Sequence, residues 1–214
     1  MPDARQPQAA ASGRRAEILR IAMETFATRG YHKASLAEIA ERAGLTQAGV
    51  LHHFHSKAGL LTGVLDLRDV SDLAELGTER PTGLAYLRHL VDTARRNAER
   101  AGIVRLYAVL SAESVTEGHP AQGFFRGRYA GLRGQVVAAL TEARDLGQVD
   151  AELDVDGVAT AVIAVMDGLQ IQWLLAPDAV DMAATTEQVI DALVGHGRLR
   201  QVPEPDGERE RPQA

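Results

Sequence analysis

The 214-residue chain predicts an all-α protein. Apolar side chains recur at helical spacing in segment after segment, no stretch alternates with the period of a strand, and Gly, Pro, Ser, Thr and Asp stand where helix ends are expected. Residues 1–13, rich in Ala, Gln and Pro, read as a disordered arm. A first helix is predicted over Arg14–Arg29, with Ile18, Leu19, Ala22, Met23 and Phe26 on one face; Gly30 ends it and Tyr31 can pack back over that end.

The segment from Ser35 to Lys57 is the most informative. Ser35 and Glu38 have capping-box spacing, in which the serine oxygen accepts from the Glu38 amide and the glutamate reaches back to the amide of Ser35. Leu36, Ile39, Ala40 and Ala43 give a short helix one apolar face, Gly44 can turn left-handed at its end, and Thr46 can cap the next helix. Two short helices joined by a Gly-containing turn form the unit whose second helix lies in the major groove of DNA.

From Ser56 a long helix carrying Leu60, Leu61, Val64 and Leu65 leads into a second helical domain. Helices are predicted there over Gly83–Arg100, Gly102–Val115, from near Pro120 to Gly147, from Asp154 or Asp156 to Leu175, and from Asp181 to Val194. The helix over 155–175 is apolar around almost its whole circumference, which predicts burial on all sides. Either one side packs on the core and the other on a partner subunit, or the helix is surrounded by its own chain. The last helix, with Val189, Ile190, Leu193 and Val194, is its natural companion. Residues 197–214 mix Pro, Gly, Glu and Arg and read as a disordered tail. The expected organisation is an arm (1–13), a three-helix helix-turn-helix domain (14–60), a larger helical domain (61–196) and a tail (197–214).

Bulk properties narrow the function. With no cysteine, disulfides and thiolate metal sites are excluded. No secretory leader is evident and no run approaches the ~18 apolar residues of a membrane span, so a soluble cytoplasmic protein is expected. The net charge of −6 is unevenly spread: residues 1–60 hold eight Lys/Arg against five Asp/Glu, so the excess of acid lies in the rest of the chain. Such asymmetry suggests that one part faces a polyanion.

The string Gly44-Leu45-Thr46-Gln47-Ala48-Gly49-Val50-Leu51-His52-His53-Phe54-His55-Ser56-Lys57, behind a helix and a short helix-turn-helix, resembles the TetR family of bacterial transcriptional repressors over roughly Arg14 to Leu61. The resemblance implies a homodimer that binds a palindromic DNA operator and is released by a small-molecule effector, with a C-terminal helical effector-binding and dimerisation domain. Thr46, Gln47, Ala48, Gly49, Leu51, His52, His53 and Lys57 are then expected at the DNA, with His53 and Lys57 matching the family's phosphate contacts, and Lys33 and Ser35 flank a second helix N-terminus that can hold phosphate similarly. Gln47 can pair bidentately with adenine. Gly49 and Ala48, being small, let the backbone approach the groove. Leu51 stands where the family usually has a phosphate-bonding tyrosine, and Gly59 replaces an acidic residue that often completes the cap after Ser56. His52 and His55 are one turn apart but lack the further ligands that zinc needs.

For the effector pocket the candidates are Tyr86, His89, Tyr107, Phe125, Met166 and Trp173; for the dimer interface they are Val162, Met166, Leu169, Val189, Ile190 and Leu193. A chain this poor in aromatics suits an apolar or mixed small molecule. No cofactor is expected. Neither a nucleophile elbow, nor a glycine-rich phosphate loop after a strand, nor an HExxH motif is present, which argues against an enzyme. Activation in place of repression, and a helical small-molecule binder without specific DNA binding, stay open.

Overall fold

The computed structural model describes the backbone of residues 5–75 and 81–195 and the side chains of 13–67 and 81–195. Among these residues every element is a helix: α1 (Arg5–Lys33), α2 (Leu36–Arg42), α3 (Gln47–Phe54), α4 (Lys57–Glu75), α5 (Gly83–Asn97), α6 (Ala101–Glu113), α7 (Gln122–Asp145), α8 (Val155–Leu175) and α9 (Met182–Val194). Two boundaries of α1 differ from expectation. The helix begins at Arg5, where strong helix formers such as Gln8 and Ala9–Ala11 extend it into the supposed arm. It is also not one rod, because Gly30 (φ 70°, ψ 174°) breaks it and leaves 31–33 as a separate turn. The tail over 197–214 lies outside the described residues.

The chain divides into two compact units that do not follow a single cut in sequence: Met1–Gly77 with Arg100–Gly127, and Thr78–Glu99 with Arg128–Ala214. In the first, α1 packs against α2, α4 and α6. Its core joins Ile18, Leu19, Ala22 and Phe26 to Ile39, Val50, Phe54, Leu60, Leu61 and Leu65, with Leu106 and Leu110 of α6 also buried. Each of these side chains larger than alanine contributes about 1.5–3 kcal/mol on burial. The α6 helix, expected within the domain over 61–196, packs instead on α1; this is a tertiary choice, since an amphipathic face says that a helix packs but not on what. The contact of α2 with α1 has a polar seam, in which Arg42 donates to Thr25 Oγ1 at 2.9 Å and pairs with Glu24.

In the second unit, α5, α8 and α9 pack together, with the later part of α7 supplying Val136, Ala139, Leu140 and Ala143 to the same core. Asp154 caps α8, accepting from the Gly157 amide at 3.0 Å, and Asp181 caps α9 through the Ala184 amide at 2.9 Å. Arg88, only 5% exposed, pairs with Glu187 at 2.8 Å.

The α8 helix sharpens two expectations. Its 21 residues, interrupted by Asp156 and Asp167, are long and apolar enough to cross a membrane by length and composition alone, a test that a buried core helix passes as well. It packs on α9 and carries Asp167, which accepts from the Tyr129 hydroxyl at 2.7 Å. Burial pushes the Asp167 carboxyl above its usual value, while the Tyr129 hydrogen bond and Arg128 oppose the shift. Nor is α8 enclosed by its own chain. Val155, Val158, Ala159, Val162, Leu169 and Trp173 are buried, yet Ile171 is 51% and Leu175 82% exposed.

Candidate nucleic-acid interface

The turn between α2 and α3 is built on Gly44. With φ at +64°, Gly44 lets its own amide reach the Glu41 carbonyl (3.0 Å) and the Leu45 amide reach that of Ala40 (2.8 Å), the paired bonds of a Schellman motif. Thr46 then starts α3, its Oγ1 accepting from the Gly49 amide at 3.1 Å. The α3 helix is held from behind by Val50 and Phe54, both buried, and Arg15 stacks over the Phe54 ring at 5.0 Å. Opposite that anchor, Thr46, Gln47, Ala48 and His52 are exposed, while Gly49, Leu51 and His53 are half-buried. The rod is therefore rigid at its base and open on a face of small and polar groups.

One detail of the capping box differs. Ser35 Oγ accepts from the Ala37 amide at 3.1 Å, one residue earlier than predicted, and the Glu38 carboxylate lies 3.6 Å from the Arg29 guanidinium. A cation across the helix junction competes for Glu38 better than an amide in water does. Ser35 and Lys33 are exposed at this end of α2.

At the far end of α3, His55 takes a positive φ of 61°, rare for a side chain with a Cβ, and its amide reaches the Leu51 carbonyl at 2.7 Å. Ser56 caps α4 by accepting from the Gly59 amide at 2.9 Å. Glycine at 59 has a steric reason that sequence could not reveal: a Cβ there would collide with the Phe54 carbonyl oxygen. Lys57 does not extend freely. Its ammonium sits 4.5 Å over the Tyr31 ring and donates to the His32 carbonyl at 3.3 Å. Burial lowers the Lys57 pKa, and the Glu113 carboxylate pulls it back up.

The pocket candidates are divided between the two units. Tyr107 and Phe125 belong to the first unit, their rings 5.7 Å apart and edge to face, whereas Tyr86, His89, Met166 and Trp173 belong to the second. There, Tyr86 is buried and donates to Gln135 Oε1 at 2.7 Å, with the His89 ring 6.2 Å away. Met166 lines a void of about 10 Å³ with Leu169 and Thr186, and Trp173 lines an open cleft of about 440 Å³ with Arg95, Glu99 and Asp181. Of the interface candidates, Val162, Leu169 and Ile190 are buried in their own unit, while Met166, Val189 and Leu193 are half-buried. Ile171 and Leu175, which periodicity did not single out for an interface, are the exposed apolar groups of α8. Also missed were Arg15 behind α3 and the set Glu113, His119 and His32 around Tyr31, since no local signal links residues 82 positions apart.

Known proteins match both parts of the chain. The profile of the bacterial regulatory proteins of the tetR family matches residues 18–64, and that of the BetI-type transcriptional repressor C-terminal region matches 85–197. The probable HTH-type transcriptional regulator ArpR of Pseudomonas putida is 31% identical over 189 residues, which cover 83% of this chain and 88% of that protein. The HTH-type transcriptional regulator TtgR of Pseudomonas putida is 30% identical over the same shares. Among solved structures, SmeT, described as the repressor of the Stenotrophomonas maltophilia multidrug efflux pump SmeDEF, has a TM-score of 0.69 at 23% identity, covering 89% of this chain and 96% of that one. A SmeT-triclosan complex has a TM-score of 0.72 at 20% identity, covering 92% of this chain and all of the other. An all-helical chain whose exposed α3 follows a capped Gly44 turn thus belongs to the TetR family of bacterial transcriptional regulators.

Proposed function

We propose that the protein is a ligand-responsive repressor that binds a palindromic operator as a homodimer and releases it when a small molecule binds. The observation that carries this reading is α3, which is fixed by Val50 and Phe54 and turns Gln47, Ala48 and His52 outward. In this reading Gln47 pairs with a base edge, Leu51 meets a thymine methyl, and Gly49 and Ala48 permit close approach. Lys33, Ser35, Thr46, His53 and Lys57 hold the backbone. Residues 14–60 serve DNA binding; residues 61–196 serve effector binding and dimerisation, with α6 packed on the former. The exposed Ile171 and Leu175 support a partner subunit over α8. The relatives' descriptions as regulators and repressors support repression, and the SmeT-triclosan complex supports an apolar or mixed effector.

Footprinting of the wild-type chain on the DNA upstream of its own gene tests this reading. Protection of two half-sites related by a dyad is expected, with affinity falling steeply as salt rises. Replacing both His53 and Lys57 by Ala is expected to abolish protection while the chain stays folded. Triclosan, used as an apolar probe, is expected to weaken the footprint. Sequence-blind binding alone would overturn the specific-repressor reading.

A further inference from the structure

The break in α1 leaves an orphan. Because Gly30 leaves the helical region, the Tyr31 amide has lost the intrahelical carbonyl it would otherwise use. The Glu113 carboxylate, at the last residue of α6, accepts that amide at 2.7 Å, a charge-assisted bond across 82 residues. The fit is close enough that a Cβ on Gly30 would collide with Glu113 Oε1.

Around this bond lies an aromatic box. The Tyr31 ring stands 5.2 Å from that of His119 and 5.5 Å from that of His32, and the two histidine rings are 5.4 Å apart. His119 is enclosed; its Nδ1 accepts from the Ala121 amide at 3.2 Å, which places the proton of the neutral ring on Nε2, 3.7 Å from Glu113 Oε2. Burial, and to a lesser degree His32, lower the His119 pKa against the pull of Glu113. On the open side of Tyr31 rests the Lys57 ammonium.

Lys57 needs this support. A cation in the first turn of α4 faces the positive end of the helix dipole, and burial disfavours its charge as well. The Tyr31 ring, the His32 carbonyl and the nearby Glu113 carboxylate are the groups that oppose both effects. We propose that Glu113 is a positioning residue for DNA binding: by holding the bend at Gly30 it sets Tyr31 as the seat from which Lys57 meets a phosphate. The inference rests on the operator-binding reading above, and it assigns to α6 a direct hold on the helix-turn-helix.

The test measures the full-length chain on a labelled duplex carrying the wild-type footprint, at several salt concentrations. Lys57→Ala, as the reference, is expected to reduce the salt slope by about two, the share of one phosphate in each half-site. Glu113→Ala is expected to lower affinity roughly tenfold with the same loss of slope, as removal of a charge-assisted bond implies. The Glu113→Ala/Lys57→Ala pair is expected to bind no worse than about twofold below Lys57→Ala, since coupled residues do not add. Glu113→Gln keeps an acceptor for the Tyr31 amide and is expected to retain most of the affinity. Should Glu113→Ala fail to fold, Tyr31→Leu removes the seat alone and is expected to reproduce the Lys57→Ala slope. A wild-type slope in Glu113→Ala or Tyr31→Leu, beside a reduced slope in Lys57→Ala, overturns this inference alone. A wild-type slope in Lys57→Ala removes the phosphate role of Lys57 and the inference with it.

Discussion

The α3 and α8 helices both turn one face inward and leave another uncovered, but the uncovered faces are of opposite kinds. On α3 the buried Val50 and Phe54 stand opposite Gln47, Ala48 and His52, which are short or polar and lose little by facing water. On α8 the buried Val158, Val162 and Leu169 stand apart from Ile171 and Leu175, which are apolar and more than half exposed. A polar open face suits a hydrated, charged partner that can be left again. An apolar one suits a partner that stays.

The strongest way to break this comparison is to spoil the apolar face. Ile171→Asp combined with Leu175→Asp is expected to give a folded monomer by sedimentation and to cost at least about 100-fold in operator affinity, because two linked half-site contacts become one. A variant that remains dimeric would show that α8 faces something else. Gly59→Glu, which restores the acid common in the family, is expected to destabilise the first unit by about 1–3 kcal/mol in denaturant unfolding, because its Cβ meets the Phe54 carbonyl.

Smaller effects sharpen the comparison. A Cβ on Gly49 would meet only Leu45 and Thr46 side chains at ordinary contact, 3.6 Å away. Gly49→Ala should therefore stabilise the fold by up to ~1 kcal/mol while weakening operator binding, and stronger binding would mean that α3 does not approach the groove closely there. Leu51→Tyr is expected to tighten binding by about 1 kcal/mol, roughly fivefold, read by titration of the labelled operator.

Within α8, the raised pKa of Asp167 makes a pH prediction. Stability from this group is present below its unfolded pKa and is lost as pH climbs through the higher folded value. Asp167→Asn, still able to accept from Tyr129, is expected to flatten that decline and raise Tm at neutral pH by a few degrees.

Much of the DNA-facing unit was legible because its signals are local. A left-handed glycine, a threonine cap and an apolar pair one turn apart each act within a few residues, so Gly44, Thr46, Val50 and Phe54 stand as the residues imply. The Ser35 cap slipped by one amide because its partner Glu38 had a better choice in Arg29, a contact between different helices. The pocket candidates show the same limit: aromatic content tells which side chains want burial, but not that Trp173 is buried in the second unit while Tyr107, half-buried, belongs to the first.

Helix number, helix type and the register of the recognition helix follow from the order of residues, because periodicity and capping are short-range and strong enough to act before any packing. Tertiary structure decided which helix rests on which. It put α6 on α1, seated Lys57 on Tyr31, and left one side of α8 uncovered. Those choices depend on matching surfaces far apart along the chain, and an apolar stripe carries no address for the surface that will cover it.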